Sequence, residues 1–182
     1  VMDGLAAGGV LPVIKHLPGH GRALVDSHEH CPVIDASAAD LARDLAPFAA
    51  LRDAPFAMTA HVVYSSWDKT RPATLSPLVI ADIIRARIGF AGILTTDDLS
   101  MKALGGSLAD RAAQALAAGC DLALHCNGDP DEMADIAAAI GPMSADALAR
   151  FGQALARRRA PEPIDGPALL GELETLMAGE TQ

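Results

Sequence analysis

Four short apolar runs alternate with helix-length segments, and this rhythm constrains the chain more than any other feature. The runs are VLPVI (Val10–Ile14), PFAMTAHVV (Pro55–Val63), AGILTT (Ala91–Thr96) and CDLALHC (Cys120–Cys126). Each is nearly continuous in apolar character, as a strand covered on both faces must be. Ala38–Leu51 reads as a helix behind the N-cap candidate Ser37, with Pro47 expected to kink or split it. Ser76–Ile88 opens Ser-Pro and repeats apolar residues at Val79, Ile83 and Ile84. Ser107–Ala118 opens S-L-A-D and stops at Gly119, and Asp129–Ile140 opens D-P-D-E, with acid at the positive end of the helix dipole. Two more helices follow at Ser144–Arg159 and Pro167–Met177, separated by PEPIDGP. The opening VMDGLAAGG reads as the last turn of a helix ending on Gly8 and Gly9, and Glu180–Gln182 as a frayed end. Strand and helix in alternation predict an α/β fold with parallel strands and right-handed crossovers.

The composition agrees. Hydrophobic residues make up 51% and aromatics only 3%, a core that suits helices on a parallel sheet. A net charge of −9 argues against nucleic acid as the main partner. The Arg157–Arg158–Arg159 run is expected to be the solvated end of a helix. The cysteines, Cys31, Cys120 and Cys126, are odd in number, and the last two stand too far apart on an extended chain to bridge. With no secretory signal pattern and no apolar run that could span a bilayer, the expectation is a reduced cytoplasmic setting without a membrane partner.

In open α/β sheets and barrels, chemistry gathers beyond the carboxyl ends of the strands. Polar groups stand at every such end: Lys15 and His16, His61, Asp97 and Asp98, then Cys126 and Asn127. Three chemistries compete for them. A metal site would use His16, His20, His28 and His30, but Pro18, Gly19 and Gly21 interrupt the helix that the four-residue spacing needs. A Ser–His–Asp triad fails because Asp26, Ser27 and His28 are consecutive. In the third, Asp97 or Asp98 is a carboxylate nucleophile, alternation sending one into the site while the other caps the next turn. Capping by both is the competing reading. His28, its ring held by Asp26, would then move the proton.

KHLPGHG with DSH, and GFAGILTTDDLSM, resemble the two signature stretches of bacterial β-N-acetylhexosaminidases of glycoside hydrolase family 3. MTAHVVY, PATLSP and AGCDLALHCN resemble the same family in the same order, up to about Asn127. The resemblance implies a TIM barrel that removes terminal β-linked N-acetylglucosamine with retention and without a cofactor. It assigns the nucleophile to Asp97 and the acid/base to His28, paired with Asp26 on a mobile loop. Lys15 and His16 would hold sugar hydroxyls and His61 would line the same pocket. The implied substrate is an N-acetylglucosamine-containing saccharide such as an anhydromuropeptide of peptidoglycan recycling. His20 and His30 are expected to serve loop structure and solvent contact.

Departures from the family pattern sharpen the expectations. Thr96 stands where Ser is frequent, and Arg22 where an acidic residue is common. A barrel needs eight strands and typically ~250 residues, whereas four strands are legible here. The chain is therefore expected to correspond to the C-terminal half of a single barrel domain, residues 1–182, with 160–182 as a helical extension. A half-barrel exposes sheet edges, so the missing half or a second chain is an expected partner. A metal-dependent hydrolase and an inactive barrel fragment with a purely structural role are the alternatives.

Overall fold

The computed structural model describes Val1–Gly179, so the expectation for Glu180–Gln182 lies outside the described residues. The chain forms two compact units, one from Leu11 to Arg157 and one joining Val1–Val10 to the segment from Arg158 onward. In the larger unit a parallel sheet is built from β1 (Val13–Leu17), β3 (Phe56–Thr59), β6 (Ile93–Asp98) and β7 (Leu122–Leu124), in that order. Val13 pairs with Phe56, Phe56 with Ile93 and Thr95 with Leu122. The register slips between Ile14 and Leu17 and again between Thr95 and Asp98, so both irregularities fall on the polar strand ends. Leu17, Ala57, Ile93 and Leu94 are fully buried.

The connecting helices start where the sequence predicts. α2 (Ala38–Ala50) is capped by Ser37, whose Oγ accepts the Asp40 N–H at 3.1 Å and donates to the Asp40 carboxylate at 2.7 Å. Ser107 and Asp110 repeat this reciprocal cap on α3 (Leu108–Ala118), which ends on Gly119 at φ 114°. Asp129 caps α4 (Pro130–Ile140), and Ser144 caps α5 (Ala145–Ala156). Pro47 does not split α2; it falls in the last turn and the helix runs on to Ala50.

Four expectations need correction. PFAMTAHVV is not one strand: it breaks after Thr59, and β4 (Val63–Tyr64) joins β2 (Val33–Ile34) and β5 (Asp68–Pro72) in a second, three-stranded sheet. Strands of two residues are too short to carry a periodic signal. The helix expected over 76–88 is π-wound across Val79–Ile88, with Val79, Ile80, Ile83, Ile84 and Ile88 buried. The fifth helix ends at Ala156, short of Arg159. The arginine run is exposed as expected but lies past the helix rather than in its last turn, and Arg157 donates to the Asp53 carbonyl at 2.5 Å and Arg158 to the Gly9 carbonyl at 3.1 Å.

The smaller unit contains α1 (Met2–Ala7) and α6 (Gly166–Gly179). Glu162 N–H donates to the Ala7 carbonyl at 2.8 Å. Gly9, at φ 75°, packs so closely on Arg159 and Pro161 that a Cβ would meet the Arg159 carbonyl oxygen at 2.9 Å. The three cysteines are free thiols. Among the described residues no helix is long and apolar enough to cross a membrane.

Candidate functional site

β1 and β6 bring the first two polar groups together. His16 lies near the end of β1, and its Nε2 stands 3.5 Å from Oδ2 of Asp97. Burial lowers the His16 pKa from its ordinary value, with the Asp97 charge pulling the other way. The preceding Lys15 is exposed. Beside them opens a cavity of about 600 Å³ walled by Gly19, His20, Arg22, Asp44 and Phe48. Arg22 is held there by a fork onto Asp44, at 2.5 and 3.1 Å.

The two carboxylates at the end of β6 divide as strand alternation requires. Asp97 faces His16. Asp98 organises the following turn: its Oδ1 accepts N–H groups from Ser100 at 3.0 Å and Cys126 at 3.2 Å, and its Oδ2 accepts the Ser100 hydroxyl at 2.5 Å. Partial burial pushes the Asp98 pKa up, but these hydrogen bonds outweigh it and hold the carboxyl below its usual value. Thr96 points inward, and its Oγ1 accepts the Leu124 N–H at 2.9 Å, so this hydroxyl locks β6 to β7.

His61 stands behind the site rather than on its surface. Its ring is fully buried, with Nδ1 2.7 Å from Thr74 Oγ1 and Nε2 3.1 Å from the Asp98 carbonyl. Burial lowers its pKa. Both ring nitrogens thus have protein partners, and the residue fixes the backbone of Asp98.

His28 and Asp26 form an exposed pair on the loop between β1 and β2. His28 Nδ1 lies 2.8 Å from Asp26 Oδ1, and the same oxygen accepts the His28 backbone N–H at 2.9 Å. The hydrogen bond to Asp26 raises the His28 pKa, and the backbone and ring bonds from His28 lower that of Asp26. Between them Ser27 is buried, its Oγ 3.0 Å from Nε2 of His20. His20 therefore pins the loop, a defined role within the structural one expected of it.

The histidines do not assemble as a metal centre. His16 and His20 meet edge to face with ring centroids 5.9 Å apart. Among the described residues no three His, Cys, Asp or Glu side chains are arranged to hold a metal ion. Sequence reasoning passed over His125, nearly buried just past β7 with Nε2 3.1 Å from Glu132 Oε2, though neither ring nitrogen makes an aligned hydrogen bond. Its position at a strand end was the available signal. Tyr64, Lys102 and Arg111, which hold the loops around the site, gave none.

Comparison with known proteins identifies the family. Residues 1–157 match the Glycosyl hydrolase family 3 N terminal domain. A β-hexosaminidase of Chromobacterium violaceum is 43% identical over 147 residues, covering 78% of this chain and 41% of that protein. One from Actinobacillus succinogenes is 40% identical over 141 residues, covering 74% of this chain and 40% of that protein. The chain spans about two-fifths of the length of these curated relatives. Among solved structures, NagZ from Neisseria gonorrhoeae in complex with N-trifluoroacetyl-D-glucosamine superposes with a TM-score of 0.73 at 37% identity, covering 85% of this chain and 45% of that one. A family 3 β-N-acetylglucosaminidase from Paenibacillus gives 0.75 at 31% identity, covering 91% and 35%. The four parallel strands and their helices are thus part of a TIM-barrel α/β fold. On the match across 1–157, the chain belongs to glycosyl hydrolase family 3.

Proposed function

We propose that this chain supplies the reacting groups of a retaining exo-β-N-acetylglucosaminidase. The observation that carries the reading is the division of labour at the end of β6. Asp98 is consumed by the turn, whereas Asp97 faces His16 across the strand ends. Asp97 is the nucleophile: its carboxylate attacks the anomeric carbon, the leaving-group oxygen departs, and a glycosyl ester forms. His28 gives its proton to that oxygen, and Asp26 stabilises the imidazolium beforehand. In the second half, neutral His28 takes a proton from water as the water attacks the anomeric carbon and releases Asp97. Lys15 and His16 hold sugar hydroxyls, and His61 keeps the Asp98 backbone in place behind Asp97.

Terminal N-acetylglucosamine is the proposed glycone, supported by the β-hexosaminidase relatives and by the sugar analogue bound to the Neisseria protein. An anhydromuropeptide of cytoplasmic peptidoglycan recycling is the proposed source, and the rest of the barrel the proposed partner. Hydrolysis of nitrophenyl N-acetyl-β-glucosaminide by the purified protein, lost in Asp97→Ala, tests the reading. Turnover that survives Asp97→Ala with every substrate would remove it.

A further inference from the structure

The loop carrying His28 is fixed at both stems. Tyr64 O–H donates to the Gly19 carbonyl at 2.5 Å, and Val63 N–H donates to the Pro32 carbonyl at 2.9 Å. Tyr64 and Val63 are buried, so the core sets where the loop leaves and returns. Midway, Lys102 meets the loop twice. Its backbone N–H donates to the carbonyl of His28 itself at 3.0 Å, and its Nζ lies 2.6 Å from the Glu29 carboxylate. Lys102 belongs to the turn that follows Asp97 and Asp98. That turn is braced by Arg111, which donates to the carbonyls of Leu99 at 2.6 Å, Met101 at 3.2 Å and Gly106 at 3.1 Å.

We infer that Lys102 and Glu29 form a latch that seats the His28 loop on the β6 turn, placing the proton donor relative to the nucleophile. Both are positioning residues, and the inference rests on the roles proposed above for His28 and Asp97. The β6 turn is the rigid side of this contact. Arg111 holds three carbonyls of the seat, while Asp26 and His28 are bonded mainly to each other and stay in water. Left to its stems and the Ser27–His20 contact, which lies within the loop itself, the loop could carry His28 away from the strand ends. The Lys102 side chain is 69% exposed and that of Glu29 56%. An ion pair so wet is weak and screened by salt, which suits a contact that must open and reclose as substrate exchanges.

The test uses Lys102→Met, Glu29→Gln and the double swap Lys102→Glu with Glu29→Lys, with His28→Ala as reference. Each single variant is expected to lower kcat/KM for an alkyl N-acetylglucosaminide by up to about fivefold, the ceiling for an exposed pair. The loss should be clearly smaller for a dinitrophenyl glycoside, whose leaving group needs little protonation. Amide exchange across 26–30 should quicken in the singles, and the swap should restore both readouts. Singles that match the parent in rate and exchange, equal losses with both leaving groups, or a swap that rescues neither readout would overturn the latch. Should His28→Ala itself show no leaving-group dependence, the proposed role of His28 fails instead. The exchange data then still decide whether the latch exists.

Discussion

One carboxylate oxygen, Oδ1 of Asp26, receives both the ring and the backbone N–H of His28, at 2.8 and 2.9 Å. Two bonds from one residue to one atom fix the ring on a loop that is otherwise in water. The ring bond and the Asp26 charge also raise the His28 pKa above its ordinary 6.5. In the proposed mechanism the imidazolium is the acid of the first step, so activity on poor leaving groups should fall as pH rises through that raised value. Asp26→Asn removes the stabilising charge and should move this basic limb downward. The pH dependence of kcat/KM for an alkyl glycoside, parent against variant, checks the shift.

Leaving-group dependence separates the two principal roles. His28→Ala should lower kcat/KM for alkyl glycosides by about 10²–10⁴-fold, the usual share of general acid catalysis. It should reduce the formation of glycosyl-enzyme from dinitrophenyl glycosides far less. Asp97→Ala should lower turnover at least about a thousandfold with both. Steady-state rates on the paired substrates decide the matter.

Asp121 anchors the opposite end of the sheet, and its removal should be felt in stability. Its side chain is 3% exposed and accepts from Arg85 at 2.8 Å, Arg150 at 3.1 Å and the Leu94 N–H at 2.8 Å. Breaking a buried pair on one side typically costs about 3–5 kcal/mol. The arginines here keep some contact with water, so Asp121→Ala is expected near the lower figure, about 3 kcal/mol. Urea unfolding of the parent and the variant would measure it.

Acid should weaken the fold through groups that act in the same direction, Asp68 and His61 among them. Asp68 has its pKa lowered to about 2 from 3.8: burial opposes the shift, but bonds from Thr70, Ser76 and Arg71 outweigh it. A depressed carboxyl pKa contributes stability that is complete above 3.8 and is lost as pH falls through about 2. His61 is buried with its pKa lowered, so unfolding takes up a proton as soon as pH drops below the ordinary 6.5. Thermal melting should therefore show two acid losses, one beginning near neutrality and one below pH 4. Asp68→Asn should shrink the second, which Asp26, Asp40 and Asp98, also held below their usual values, share.

Much of this could be read from residue order. Ser37, Ser107, Asp129 and Ser144 are bonded as caps because a short oxygen-bearing side chain before an apolar repeat can satisfy the free N–H groups of a first turn. The division between Asp97 and Asp98 follows from strand alternation, and the Asp26–His28 pair from their spacing. The second sheet was hidden because β2 and β4 have two residues each, and pairing so short is set by the tertiary fold. The family resemblance implies a pocket-lining His61. Two partners distant in sequence, Thr74 and Asp98, draw its ring inward, and such contacts leave no local pattern. Lys102 and Glu29 lie 73 residues apart and were invisible for the same reason.

The most direct test of the central claim is to trap the covalent intermediate. The purified protein would be treated with a ring-fluorinated N-acetylglucosaminyl fluoride, digested and mapped by mass spectrometry. One sugar adduct per active site is expected, on the peptide containing Asp97 and on that carboxylate, with none in Asp97→Ala. An adduct on Asp98, or full turnover of the N-acetylglucosaminide with no adduct at any residue under trapping conditions, would contradict it.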